Sequence, residues 1–108
     1  MEPDLTPIQV AELFARGEVE LIDVRLPEER EVGRIAGDSH IELGELAERA
    51  PSISRDAAIV FYCRSGSRSA MATDAFRVAG YDAHNMAGGL LDWVAAGLPL
   101  EPEGGYVA

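Results

Sequence analysis

Residues Ala57 to Tyr62, Ala-Ala-Ile-Val-Phe-Tyr, form an apolar run with no polar position in it. A strand with one face in water alternates polar and apolar residues; a run apolar throughout suits a strand buried on both faces, the central position of a parallel sheet. Stretches at helical spacing flank it on both sides. Upstream, Thr6-Pro7-Ile8-Gln9 reads as a helix start: Thr6 caps, Pro7 takes the first helical position and Gln9 completes a capping box. Val10, Leu13 and Phe14 mark one face of that helix and Gly17 ends it. Leu21 to Val24 is a second short apolar run suited to a buried strand, and Pro27-Glu28-Glu29 opens a short helix with acids in its first turn. His40-Ile41 reads as a brief strand, and Leu43, Leu46 and Ala47 as one more amphipathic helix before Pro51.

Downstream of the run, Ala72, Ala75, Phe76 and Ala79 lie at helical spacing and Gly80 closes them. Ala83 to Met86 reads as the last strand, and Leu90, Trp93 and Val94 line a final helix with Gly97 and Pro99 past its end. Strands alternating with helices predict an α/β fold, a parallel sheet covered by helices on both faces. A chain of 108 residues, 47% hydrophobic and 26% charged, has room for one globular core. The expectation is one domain over residues 1–100 and a loose tail over 101–108.

Charge and cysteine content exclude several functions. Nine Arg, no Lys and nineteen acids give a net charge of −10, which repels nucleic acid and anionic lipid. Met1-Glu2-Pro3-Asp4 does not read as a signal peptide, and the most apolar stretch, Met86 to Leu100, is short and carries Asp92, so no membrane span is expected. The lone cysteine forms no intrachain disulfide, which fits a reducing, cytoplasmic compartment.

In a parallel α/β sheet, ligands bind where strand C-terminal ends meet helix N-termini. Cys63-Arg64-Ser65-Gly66-Ser67-Arg68-Ser69 stands there, between the strongest strand and a clear helix. A cysteine closing an apolar strand is by itself an ordinary core residue, but its Gly, Ser and Arg neighbours are wrong for a core. Gly66 permits a tight backbone curl with amides pointing inward, the helix N-terminus adds free N–H groups, and Arg64 and Arg68 add full positive charge. All of these favour thiolate over thiol, so Cys63 is the candidate nucleophile, with no His base required.

The remaining polar residues divide less sharply. Asp23 and Arg25 end a strand on the edge that carries Cys63; they form a structural ion pair, brace the loop, or, for Arg25, draw an anionic substrate. Arg34 reads as surface, His40 and His84 as structural or solvated, Trp93 as core packing, and Glu28, Glu29 and Glu31 as a solvated helix face. An island of Arg64, Arg68 and Arg25 would offset the global field for an anionic donor.

The loop Cys63-Arg64-Ser65-Gly66-Ser67-Arg68 resembles the active-site loop of the rhodanese-like sulfurtransferases. Leu21-Ile22-Asp23-Val24-Arg25 is similar to that family's Asp-x-Arg strand end, and Gly33-Arg34-Ile35 to its Gly-His-Ile. Ala87 through Trp93 with Gly97-Leu98-Pro99 is similar to its closing Gly-Gly, Trp and Gly-x-Pro. The resemblance runs from Leu5 to Pro99. The chain departs from the pattern at Arg34, at Ala36-Gly37-Asp38 in place of Pro-Gly-Ala, and at His40 where Asn-Ile-Pro would begin. The resemblance implies a three-layer fold with a five-stranded parallel sheet. It implies a Cys63 persulfide that takes sulfur from a thiosulfate-like small-molecule donor and yields it to cyanide, a thiol or a protein acceptor, with no metal or organic cofactor. Two rival readings use the same fold features: a cysteine phosphatase or arsenate reductase, and a non-catalytic rhodanese-like binding module. The phosphatase signature sets its Arg one position further from Cys and puts a His before it, where this chain has Tyr62.

Overall fold

The computed structural model describes all 108 residues, and the apolar run supplies the middle of its sheet. In chain order the elements are β1 (Asp4–Leu5), α1 (Pro7–Ala15), β2 (Val19–Asp23), α2 (Pro27–Val32), β3 (Ser39–His40), α3 (Leu46–Arg49), β4 (Ala58–Tyr62), α4 (Ser67–Val78), β5 (Ala83–Met86) and α5 (Gly89–Ala95). Turns of 3-10 helix flank α3 at Leu43–Glu45 and Ala50–Ser52. The five strands are all parallel in the order β1-β5-β4-β2-β3. β4 lies between β2, in the register Leu21 to Val60, and β5, in the register Val60 to His84.

Strand alternation divides β4 between two cores. Ile59, Phe61 and Cys63 join Ile22, Val24 and Ala83 against Leu46 of α3 and Ala72 and Phe76 of α4. Val60 and Tyr62 join Leu5, Val19, Leu21 and Met86 against Val10 of α1 and Leu90 and Trp93 of α5. The chain is therefore a three-layer α/β fold, as its alternating pattern predicts. Large side chains buried to this degree contribute about 1.5–3 kcal/mol each, and Phe61 adds an edge contact with Phe76 at 4.9 Å between centroids. The α1 capping box forms as expected: the Gln9 amide donates to Thr6 Oγ1 at 3.2 Å and the Thr6 amide to Gln9 Oε1 at 2.9 Å. No helix is long and apolar enough to cross a membrane.

Four expectations change. β1 has no counterpart in the sequence reading: it is two residues long and only Leu5 is buried. β3 falls on Ser39–His40, one residue before the expected pair. α2 buries no side chain, and although Glu28 and Glu31 are exposed, Glu29 is not part of a solvated face. It bonds to Arg68 and to the Leu26 amide, so polar contacts hold this helix in place.

The fourth change is the segment after residue 100, which is bonded instead of loose. Arg34 and Glu101 exchange backbone hydrogen bonds at 2.8 Å, the Tyr106 amide donates to the Val32 carbonyl at 2.8 Å, and Arg64 Nε donates to the Ala108 oxygen at 3.0 Å. Gly33 has no Cβ where the Tyr106 carbonyl lies, which allows the two backbones to touch.

Candidate active site

The loop from Cys63 to Ser69 joins the C-terminal end of β4 to α4 and wraps its own sulfur. Cys63 is fully buried on the α4 side of the sheet. Three donors reach Sγ: the Gly66 amide at 3.1 Å, the Ser69 amide at 3.5 Å and the Ser69 hydroxyl at 3.3 Å. Gly66 adopts φ +97°, a left-handed conformation that turns its N–H back toward the sulfur and that a side chain would strain. Ser69 lies in the first turn of α4, where backbone amides have no partner within the helix.

The loop's carbonyls point the other way. The Leu90 amide donates to Cys63 O at 2.8 Å and the Leu91 amide to Arg64 O at 3.1 Å, so the first turn of α5 holds the outer side of the loop. Gly89, at φ +61°, makes this approach possible, since a Cβ there would lie 2.5 Å from Arg64 O and 2.6 Å from Cys63 O. With carbonyls tied outward and amides aimed inward, the loop surrounds Sγ with positive dipole ends. Burial pushes the Cys63 thiol up, but hydrogen bonds from the Ser69 hydroxyl and from the amides of Ser69, Gly66 and Ser65 outweigh it. The net effect holds the thiol below the ordinary cysteine value. Such an environment favours thiolate over thiol with no general base required.

The other expected site residues scatter. Ser65 and Ser67 are exposed, their hydroxyls 3.4 Å apart. Arg64 is exposed. Arg68 is not a free cation: its NH1 and NH2 donate to Glu29 Oε2 and Oε1, both at 2.8 Å. Asp23 and Arg25 do not reach the loop with any hydrogen bond. They form a fully buried ion pair, Arg25 Nε to Asp23 Oδ1 and NH2 to Asp23 Oδ2, both at 2.9 Å, with NH2 also donating to the Gly33 carbonyl. The expected island of three free cations is therefore absent, because two of its members are paired with carboxylates.

Further residues that the sequence did not single out support the site from below. Arg30 donates to Asp23 at 3.1 Å and in bidentate fashion to Asp38 at 2.6 and 2.9 Å. The Tyr62 hydroxyl donates to Asp38 Oδ2 at 2.6 Å and accepts from the Ile35 amide at 3.2 Å. This network ties β2, α2 and the segment before β3 to the residue that precedes Cys63. Burial first, then Asp23 and Asp38, raise the Tyr62 phenol, so it stays a neutral donor. Behind the loop, buried Asn85 donates to Gly66 O at 3.4 Å and to Asp4 Oδ1 at 3.2 Å. Asp38 occupies a departure from the family pattern, the one signal that marked this region. His40 bonds to the Arg25 carbonyl, and His84 to Glu2 O and Asp82, in structural roles. No group of three or more His, Cys, Asp or Glu side chains is arranged to hold a metal ion.

Comparison with known proteins gives a consistent picture. A family model described as Rhodanese-like domain matches residues 6–96. The HTH-type transcriptional regulator Rv0324 of Mycobacterium tuberculosis is 43% identical over 97 residues, covering 84% of this chain but only 42% of the regulator. A protein named sulfurtransferase from Allochromatium vinosum is 36% identical over 89 residues, covering 81% of this chain and 83% of its own length. Among solved structures, a rhodanese-related protein from Thermoplasma volcanium superposes with a TM-score of 0.85 at 27% identity, covering 92% of this chain and 97% of the other.

Proposed function

This chain belongs to the rhodanese-like domain family, and we propose that it is a sulfurtransferase that carries sulfur as a persulfide on Cys63. The carrying observation is the convergence of three donors on a buried Sγ in a loop of this length. The Cys63 thiolate attacks the outer sulfur of a donor, the donor's S–S bond breaks, and the leaving group departs with the bonding electron pair. An acceptor thiolate or cyanide then attacks the outer sulfur of the persulfide and releases the Cys63 thiolate. Donors that held the thiolate can shift onto the transferred sulfur, so one cradle serves both states. The lone cysteine has no internal partner to resolve the persulfide as a disulfide. A reducing, cytoplasmic setting is part of this reading.

Intact mass tests it. The protein given thiosulfate or an alkyl persulfide gains one sulfur atom and loses it on adding cyanide, and Cys63→Ser gains none while remaining folded. Ready hydrolysis of an aryl phosphate with no donor loading Cys63 replaces this reading with the phosphatase one. The identity to a transcriptional regulator favours a second reading, a module that senses or binds without turnover. That module would at most load sulfur once and hold it against cyanide.

A further inference from the structure

The charges around the loop bear on which donor it accepts, on the premise that Cys63 carries sulfur as proposed above. Arg25 is paired with Asp23, Arg30 with Asp38 and Asp23, and Arg68 with Glu29. Arg64 has no carboxylate side chain within ion-pair distance, but it is exposed and turned toward the Ala108 oxygen. The whole molecule carries −10. A dianion such as thiosulfate approaching Cys63 thus meets a site where Arg68, the loop cation that interacts electrostatically with Cys63, is already paired with a carboxylate, inside a repulsive global field.

Glu29 is held in this role by more than Arg68. Its Oε2 accepts the Leu26 amide at 2.9 Å as well as Arg68 NH1, so the carboxylate is fixed at the start of α2 instead of swinging in solvent. Its side chain is only 16% exposed. Hydrogen bonds from Arg68, opposed by burial and aided by the Leu26 amide, lower its carboxyl from 4.5 to about 2, which leaves it ionised at any working pH. Arg68 immediately precedes Ser69, whose amide and hydroxyl both hold Sγ.

We propose that Glu29 is a specificity-determining residue: by binding Arg68 it turns the site away from dianionic donors and toward donors that carry the sulfane sulfur on a thiol, R–S–SH. The loading step is then Cys63–S⁻ + R–S–SH giving Cys63–S–SH + R–S⁻. One S–S bond forms as another breaks, the proton stays on the transferred sulfur, and no external oxidant or reductant enters. The leaving thiolate carries one charge, where thiosulfate would release doubly charged sulfite into the same field.

The test compares the rates at which thiosulfate and the persulfide of N-acetylcysteine amide load Cys63, read by quenched intact mass. Glu29→Gln keeps an oxygen acceptor for the Leu26 amide and frees the Arg68 charge. The ratio of thiosulfate to persulfide loading rates should rise about tenfold at low salt, an effect that high salt diminishes. In the double variant E29Q/R68Q that gain should disappear. A general loosening of the loop slows both donors and leaves the ratio where it was. An unchanged or lower ratio in E29Q, or a gain that survives in the double variant, overturns the inference while leaving sulfur transfer intact. Failure of both donors to load the wild type removes the sulfur-transfer reading and this inference with it.

Discussion

Replacing Ser69 by Ala should raise the Cys63 pKa and slow its alkylation below the midpoint. The Ser69 side chain is fully buried, and its hydroxyl donates to Sγ at 3.3 Å. The substitution removes one donor and leaves the Ser69 and Gly66 amides in place. A hydrogen bond to a charged group is worth about 1.5–3 kcal/mol net, and a polarisable sulfur acceptor at this distance belongs at the low end. A loss of that size is about a tenfold drop in thiolate population below the midpoint, while the burial that already pushes the thiol up remains. The assay is the rate of iodoacetamide alkylation against pH. Because Cys63 is the only cysteine, the mass of the whole protein reports that one group. Below both midpoints the variant should react about tenfold more slowly, and well above them the two proteins should converge. A stability effect accompanies it. A folded-state pKa held below the unfolded value adds stability that is fully present above the unfolded thiol pKa and is lost as pH falls through the folded value. Ser69→Ala should therefore cost more stability in the thiolate range than below the folded thiol's pKa. A folded Ser69→Ala protein with an unshifted alkylation midpoint would refute the claim that this hydroxyl holds the thiolate.

Two further predictions rest on backbone space and on charge. Gly89→Ala puts a methyl group 2.5 Å from Arg64 O at a left-handed φ of +61°; denaturant unfolding should show a loss of about 3 kcal/mol or more together with lost sulfur loading, and a wild-type midpoint would mean the loop does not need that approach. The Glu29 carboxyl is lowered from 4.5 to about 2, so its contribution to stability is present above pH 4.5 and is lost as pH falls toward 2. Glu29→Gln should flatten the acid limb of the stability curve in that window. Arg68 is a third exposed, so the discounted effect is about 1 kcal/mol, and an unaltered acid limb would show the pair to be energetically silent.

The parts of the fold that the sequence reveals are those whose cause is local. β4 is legible because five consecutive residues each need an apolar neighbour on one face or the other, a demand written in adjacent positions. The α1 cap is legible because Thr6 and Gln9 satisfy each other within one turn. Asp23 and Arg25 lie two apart, which places both side chains on one face of an extended chain and makes their pairing readable; what stayed open was whether the pair served the loop, and it serves the strand end and Gly33 instead. β1 and the residues after 100 carry no comparable signal. Their ties are backbone hydrogen bonds to Asn85, Ala87, Val32 and Arg34, and main-chain pairing of this kind leaves little trace in side-chain pattern. Glu29 is the clearest loss: in sequence it is one of several acids at a helix start, and only the fold brings it to a partner 39 positions away.

The same distinction between local and long-range causes applies to the loop's electrostatics. The sequence points to inward amides, the helix N-terminus, Arg64 and Arg68 together as the groups that favour thiolate, and to the Arg side chains as the groups that draw an anionic donor. In the fold, the hydrogen bonds that lower the Cys63 thiol come from a hydroxyl and three amides, fixed by the turn at Gly66 and by α5 behind the loop, and Arg68 adds an electrostatic interaction with Cys63. Arg68 also bonds to Glu29, which fastens α2 to the first turn of α4 beside Ser69. A thiolate held by buried dipoles differs from one held by surface cations in a useful way, since mobile ions screen exposed charges far more than buried ones. On the proposed function, the nucleophile stays activated while the approach of anions is set separately, by the Glu29–Arg68 pair. On that reading, a molecule at −10 keeps a reactive sulfur anion without also collecting every small anion in its surroundings.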